Sequence, residues 1–251
     1  MVNSISAELL RLIVKKALKR AFLFISVSKY PLLKMNCNYC SVKCRKSGKQ
    51  RNGTQKWFCK FCARYQQEKY RNKAYQSEID QEIRKHIKEG CGTRSISRLL
   101  GISVNTVTKR ILSISKSVEK PCVSIGKTYE MDELQTYVKR KSRLIWIAYA
   151  IRKDTREVVD FKVGRRNNRT LGKVIDTLTL SSATKIYTDK LNLYQNLIAK
   201  AIHKVKNRGI NYIERKNLTL RTHLKRLNRK TICYSKSIAM LVACLTIYFW
   251  G

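Results

Sequence analysis

Acidic residues are scarce in this chain, and their scarcity limits what its surface can bind. The 251 residues include 54 Lys and Arg but only 16 Asp and Glu, a formal charge of +38. So many like charges destabilise a compact state unless a polyanion neutralises them. Because Lys and Arg displace condensed counterions from phosphates, double-stranded DNA is the leading expected partner. A ribosome-like structural binder, or a codon bias towards Lys, would also give a basic chain.

Long apolar runs are missing as well. The most apolar segment, residues 237–250, is shorter than the ~20 residues that a membrane-spanning helix needs. We therefore expect a buried core helix there and no membrane partner. Apolar residues still make up 43% of the chain, which is enough for real cores. Proline occurs only twice, and Pro121 indicates a linker between two ordered blocks.

Residues 1–34 form a basic, amphipathic extension. Its apolar run, Ala21–Val27, is marginal for the core of a signal peptide, and no evident cleavage site follows it. A targeting helix is one interpretation. We favour an extension upstream of the natural start, because Met35 directly precedes the first motif.

The nine cysteines are odd in number, and four of them form two close pairs, which is not the pattern of a disulfide framework. Two Cys-x-x-Cys knuckles, Cys37 with Cys40 and Cys59 with Cys62, can complete a tetrahedral zinc site. We therefore predict a structural zinc ribbon over residues 35–66 and a reducing, cytoplasmic setting. Cys44 lies between the pairs and is interpreted as a bystander.

Residues 74–118 indicate helices. Ile79, Ile83 and Ile87 form one apolar stripe, which Gly90 or Gly92 ends. Two further helices follow, with Gly101 at the turn between them and Ser103 as the cap of the second. The expected inward residues are Ile96, Leu99, Leu100, Val104, Val107, Ile111 and Leu112.

This layout is typical of a helix-turn-helix, whose second helix enters the DNA major groove. The residues left facing outward, and so the candidate DNA contacts, are Asn105, Thr106, Lys109 and Arg110. An ordinary helical hairpin is the alternative. The charge and the neighbouring cysteine module favour DNA binding.

From residue 127 onward the pattern becomes mixed α/β. Strands are predicted at 127–138, 143–152 and 157–164, then a crossover helix at 168–178 and a short strand at 186–187. A late helix is expected at 214–227, with Leu218 and Leu224 among its packed residues. The final domain is therefore 127–251, built on a mixed sheet.

Three acids in this block, Asp132, Asp189 and Glu214, are candidates for one site. Glu214 is the only acid in residues 190–251, which hold 13 Lys and Arg. Carboxylates brought together repel one another unless a cation lies between them, and Mg²⁺ or Mn²⁺ accepts such oxygen ligands. Glu130 and Glu133 are the rivals of Asp132. Glu214 could instead pair with Arg215 or Lys216, or stabilise a helix N-terminus.

The order of these motifs resembles transposases of the insertion-sequence-one family over about residues 35–251. The segments that carry the resemblance are CNYC…KWFCKFC, SISRLLGISVNTVTKRI, YEMDEL, IYTDKLNLY and IERKNLTLRTHLKRLNRKT. The stretch from Glu214 to Leu224 is the most specific of them. Residues 1–34 have no counterpart in the family pattern.

The resemblance implies a ribonuclease-H-like catalytic domain whose Asp-Asp-Glu triad falls on Asp132, Asp189 and Glu214. It also implies DNA cutting and joining at the element's own terminal inverted repeats. From this we expect attack on target DNA, a homo-oligomer because two ends are cut as a pair, and a location at the nucleoid. Substrate phosphates would be touched from the late helix by Arg221, His223, Lys225 and Arg226. A non-catalytic repressor of transposition and a nuclease without a joining step are the competing hypotheses.

Overall fold

The computed structural model describes residues 35–68, 70, 72–76, 78–205 and 212–251. The predicted extension at 1–34 lies outside the described residues. The chain divides between Tyr70 and Arg71 into two compact units. Across the described ranges, every helix is too short or too polar to cross a membrane.

The first unit is a three-stranded antiparallel sheet of β1 (Arg45–Lys49), β2 (Gln55–Cys59) and β3 (Arg64–Gln67). The sequence pattern predicts β2, while β1 and β3 are short and polar and carry no apolar alternation. Gly53 has a φ of 79° in the β1–β2 turn, a conformation that glycine adopts without strain. Among the described residues of this unit, the buried core consists of Trp57 and three cysteines, Cys37, Cys44 and Cys59. So few apolar side chains do not normally hold a fold without a metal.

The second unit begins with three helices: α1 (Ile79–Lys88), α2 (Thr93–Leu100) and α3 (Val104–Ser117). Gly101 ends α2 with a left-handed φ of 64°, and the Ser103 hydroxyl caps α3 by accepting the Thr106 N–H at 3.1 Å. Two expected core residues are in fact outside: Leu99 is 62% exposed and Val104 is 41% exposed. Each lies three residues from a buried residue, Ile96 or Val107, so helical spacing alone places it near the buried face and does not predict its exposure.

A mixed sheet follows in the second unit, as the sequence predicts, and it has five strands. Its strands are β4 (Thr128–Val138), β5 (Arg140–Arg152), β6 (Val158–Gly164), β7 (Lys185–Thr188) and β8 (His203–Val205), in the order β6-β5-β4-β7-β8. Strand β4 is central, antiparallel to β5 and parallel to β7. Strand β8 has three residues, too few to show a periodicity, and was not anticipated.

Helices cover both faces of this sheet. Helix α4 (Asn168–Leu180) and the short α5 (Asn192–Leu197) pack against Tyr129 and Met131 of β4. Helix α6 (Tyr212–His223) and helix α7 (Ile238–Trp250) pack on the opposite face. The alternation of side chains along β4 therefore sends even and odd positions into two different cores.

Helix α7 belongs to two cores at once, which explains why it is apolar all round. Leu241 and Leu245 pack with the sheet, while Ala243, Cys244 and Ile247 pack with α1 and α3. The buried core helix expected at residues 237–250 is confirmed. The helical block at 74–118 and the sheet thus share a packing element, although proline and composition separate them in sequence.

Helix α6 is shorter than the sequence predicts. It ends at His223, and Leu224 leaves the helix so that its side chain is buried before a 3₁₀ turn at Lys225–Leu227. Leu218, expected to pack, is 67% exposed, whereas Leu220 is fully buried. Lys225 and Arg226 therefore lie on the 3₁₀ turn and not on α6.

Candidate active site and metal-binding clusters

Asp132 lies in the central strand and is fixed by hydrogen bonds from two sides. Its Oδ1 accepts the Glu133 N–H at 2.7 Å, and its Oδ2 accepts Nδ2–H of Asn217 at 2.7 Å. Asn217, on α6, accepts in turn the hydroxyl proton of Tyr149 at 2.8 Å. Tyr149 is the residue that faces Asp132 across the β4–β5 ladder. A chain of hydrogen bonds therefore joins Asp132 to β5 and α6.

Asp189 comes next to Asp132 because of the parallel pairing of β4 with β7. Glu130 pairs with Tyr187, so the chain leaves β7 two residues later, beside Asp132. Carboxylate oxygens of Asp132, Glu133 and Asp189 all lie within 4.8 Å of one another. Burial, together with the charges of Glu133 and Asp189, raises the pKa of Asp132 to about 6.

Glu214 lies in the first turn of α6 and lines the same small cavity as Asp132 and Asp189. The cavity has a volume of about 30 Å³. Glu214 is exposed and stands outside the group whose oxygens lie within 4.8 Å. The structure thus brings all three predicted acids to one cavity, with Glu214 at its rim.

The two rivals of Asp132 take different positions. Glu130 is buried and its Oε2 accepts the Ile213 N–H at the start of α6, at 3.0 Å. A carboxylate is favourable at a helix N-terminus, so Glu130 stabilises the turn that carries Glu214. Glu133 joins the tight carboxylate group, and burial raises its pKa, while Arg166 opposes the rise from 3.4 Å.

The donor set fits a divalent cation. Of the described residues, none forms an ion pair with Asp132 or Glu214, and the single cation near Asp189 is Arg166, at 4.0 Å. Within the described part of the chain, one buried oxygen of Glu130 has no hydrogen-bond partner. Clustered hard oxygens without enough positive charge are what Mg²⁺ or Mn²⁺ binds.

The four paired cysteines also come together. The Sγ atoms of Cys37 and Cys62, and those of Cys40 and Cys59, are each 3.5 Å apart, and all four lie within 4.8 Å. Bonds of ~2.3 Å from a tetrahedral zinc would place the sulfurs about 3.8 Å apart, so the cluster could hold zinc.

The four paired cysteine thiols differ in pKa. Burial raises the pKa of Cys62 to about 12. Burial also opposes the ionisation of Cys37, but hydrogen bonds from the N–H groups of Tyr39 and Cys40 and from the thiols of Cys62 and Cys40 together lower its pKa to about 6. Without a cation, one thiolate therefore hinders the ionisation of the others.

Cys44 stays outside this cluster, as expected. It is buried, and its Sγ accepts Nε2–H of Gln66 at 2.8 Å.

Of the four side chains predicted to contact DNA from α3, two are exposed to solvent and two form hydrogen bonds within the protein. Asn105 and Lys109 are exposed, and the Thr106 hydroxyl bonds to Ser103 at 2.8 Å. Arg110 was expected to face outward. Its guanidinium instead reaches Asp80 at 3.2 Å and the Ala74 carbonyl at 2.7 Å, because α1 packs beside this part of α3.

The predicted contacts near the end of α6 are also partly engaged. Arg221 donates to the Leu227 carbonyl at 3.0 Å, and burial lowers its pKa. Arg226 donates to the Ser235 hydroxyl at 2.9 Å, and His223 Nδ1 lies 3.2 Å from the Tyr248 hydroxyl. Lys225 is exposed.

Sequence reasoning missed Asn217 and Arg166, which bind or face the acids directly. Asn217 follows Glu214 by three residues, so a helix places both on one side, and this spacing was an available signal. Arg166 lies in the loop before α4, and its contacts depend on the sheet alone.

A family model described as IS1 transposase matches residues 125–249. Insertion element IS1 protein InsB of Shigella flexneri is 38% identical over 111 residues, which are 44% of this chain and 85% of that protein. The chain belongs to the IS1 transposase family.

Two other comparisons are a second curated relative and a solved structure. Insertion element IS1 2 protein InsB of Escherichia coli K12 is 38% identical over 109 residues, 43% of this chain. The chain spans 65% of the length of that relative. A cryoEM structure of the simian T-cell lymphotropic virus intasome with PP2A regulatory subunit B56 gamma has a TM-score of 0.34 and 16% identity, covering 66% of this chain and 67% of that chain.

Proposed function

We propose that the chain is a DNA transposase that binds the terminal inverted repeats of its own element, cleaves the ends and joins them to target DNA. The observation that carries this proposal is the single cavity lined by Asp132, Asp189 and Glu214. Family membership and the charge of +38 support it. The mixed sheet with Asp132 on its central strand supports a ribonuclease-H-like catalytic domain.

In this proposal the chain's own residues position the acids. Asn217 and the Glu133 N–H hold both oxygens of Asp132, so its carboxylate has one orientation. Glu130 stabilises the start of α6 and therefore the place of Glu214. Bound Mg²⁺ or Mn²⁺ would activate water or a 3′-hydroxyl and stabilise the leaving oxygen.

The other modules are proposed to recognise DNA. The cysteine ribbon at 35–66 and the helices at 74–118 would bind the element ends, with Asn105 and Lys109 as the free side chains of α3. Phosphate contacts would hold the duplex in register, whereas base-edge contacts would select the repeat. Cutting at two paired ends implies more than one copy of the chain.

Strand transfer with Mg²⁺ tests the proposal directly. Glu214→Gln keeps the size of the side chain but removes a charged oxygen ligand, so cutting should fall by at least ~10²-fold while binding to the repeat is retained. Asp176→Asn is the matched control, because Asp176 is an exposed acid on α4 outside the cavity.

Three results would be read differently. Equal strand transfer by wild type and Glu214→Gln would eliminate the metal role of Glu214. Repeat binding by a wild type that never cuts would support the non-catalytic repressor instead. Release of ends without integration would support the nuclease hypothesis.

A further inference from the structure

A second, larger cavity lies beside the acidic one. Its volume is about 460 Å³. The residues that line it are Gly126, Lys127, Thr128, Lys153, Asp154, Arg156 and Tyr212. It is thus built from the start of β4, the β5–β6 turn and the start of α6.

The charge of this cavity is positive. Its one acid, Asp154, is occupied by Lys127 at 3.5 Å and by Arg152 at 2.8 Å. Within the described ranges, neither Lys153 nor Arg156 has a carboxylate at ion-pair distance. Two cations of the wall therefore remain to be neutralised by a ligand.

Both of these cations rest on aromatic rings. The Arg156 guanidinium lies 4.2 Å from the ring centroid of Tyr212, and the Lys153 ammonium lies 4.3 Å from that of Tyr187. A stacked guanidinium keeps the N–H groups on its edge available for phosphate oxygens. The rings thus orient the charges without neutralising them.

The backbone of Arg156 is strained for that residue type. Its φ is 61°, in the left-handed region that Gly or Asn would adopt more easily in a turn. Strain at a residue whose side chain lines a cavity points to a role for the side chain.

The two cavities are lined by neighbouring residues. Tyr212 lines the basic one, and its neighbours Ile213 and Glu214 line the acidic one. Tyr187, under Lys153, also lines the acidic cavity. Along β4, Thr128 is ~13 Å from Asp132, a distance that duplex DNA covers in about four base pairs.

We infer that the cavity around Lys153 and Arg156 binds backbone phosphates of the DNA strand next to the cleavage point. This inference rests on the proposed function and adds a positioning site to it. Phosphates held here would fix the scissile bond against Asp132, Asp189 and Glu214. A free mononucleotide offers the same phosphate chemistry and is the source that the test must separate.

The test measures binding of a short duplex carrying the terminal inverted repeat, in EDTA so that no cutting occurs, over a series of salt concentrations. Lys153→Gln combined with Arg156→Gln should weaken binding about tenfold near 0.1 M salt. It should also reduce the salt slope by about 1.8, which corresponds to two lost phosphate contacts.

The matched control is Lys141→Gln combined with Arg143→Gln. It removes the same charge from exposed positions at the opposite end of the β4–β5 pair. If the two double variants show the same loss of DNA affinity and the same decrease in salt slope, the effect comes from the net charge of the protein and the inference is wrong. If the Lys153→Gln, Arg156→Gln variant loses ATP binding but binds the duplex as tightly as the wild type, the cavity belongs to a mononucleotide and the inference is also wrong.

Arg156→Gly separates binding from folding. Glycine relieves the left-handed strain, so the Tm should stay the same or rise while DNA affinity falls. If the Tm falls together with the DNA affinity, Arg156 stabilises the fold and the loss of binding reflects unfolding, which would contradict the inference. Because these assays need no catalysis, their failure leaves the strand-transfer test of the proposed function unaffected.

Discussion

The first unit contains a cluster of four cysteines, and the second contains a cluster of acidic residues around one cavity. Both clusters bring potential metal ligands of the same charge together, but the separation of those residues along the chain differs. Cys37 and Cys62 are 25 positions apart, and each knuckle is a local turn. Asp132 and its partner Asn217 are 85 positions apart and meet only because α6 packs on the sheet. The first cluster therefore needs a hairpin, whereas the second needs a complete fold.

The two sites also differ in what supports them without a metal. Within residues 35–68 of the ribbon, the buried core is one tryptophan and three cysteines. The acidic cavity lies between two large apolar cores and would persist without an ion. Metal should thus be a condition of folding in the first unit and a condition of chemistry in the second.

The largest effect is expected from Cys59→Ser. Structural zinc contributes an apparent ~10–16 kcal/mol in zinc-finger peptides, so the first unit should lose both its metal and its fold. Metal analysis and NMR of the full chain would measure this. Cys44→Ala is the control and should keep its zinc, since Cys44 lies outside the cluster. Loss of zinc from both variants would break the assignment of ligands.

An intermediate effect is expected from Asp132→Asn. The raised pKa of Asp132 means that the folded state prefers its protonated form, by roughly 3 kcal/mol. In EDTA, the free energy of unfolding of the wild type should therefore fall, relative to the variant, as the pH rises from about 4 to about 6. The variant should be more stable at pH 7 and inactive in strand transfer.

Denaturant unfolding at several pH values measures that difference, and adding Mg²⁺ should reduce it, because the cation stabilises the carboxylate. If the free energies of unfolding of the wild type and the variant change in parallel with pH, the ionisation of Asp132 does not destabilise the folded state. The comparison with the cysteine cluster would then fail.

The smallest effect is expected from Leu218→Ser on α6. Because Leu218 is 67% exposed, its loss should change the free energy of unfolding by less than about 0.5 kcal/mol. Leu220→Ala, on the buried side of the same helix, should cost about 2–5 kcal/mol. Chemical denaturation compares the two. Similar losses would mean that α6 packs as the sequence pattern suggests and not as the structure shows.

Local patterns predicted much of the fold. The alternation over 127–138 predicted β4, and Gly101 and Ser103 marked the turn and the cap that the structure contains. The prediction failed where one face had to be chosen among neighbouring leucines, at Leu99 and Leu218. A run of closely spaced leucines fits more than one helical face, and only the packing partner selects one.

The contacts that functional side chains make with distant segments of the chain were harder to predict. Arg110 looked outward on its own helix, but Asp80 of α1 neutralises it. Glu133 and Asp132 alternate across β4, yet both approach Asp189, because β7 ends beside them. Neither contact can be predicted from the residues that are close to it in sequence.

The sequence by itself determined the ligand types, the two cysteine knuckles and the positive charge, since these depend on composition and short spacing. Only the tertiary structure decided that Asn217 holds Asp132, that Glu214 stands at the rim, and that a basic cavity adjoins the acidic one. Those relations depend on which strands pair and where they end, and strand pairing is settled by burial on both faces of the sheet at once.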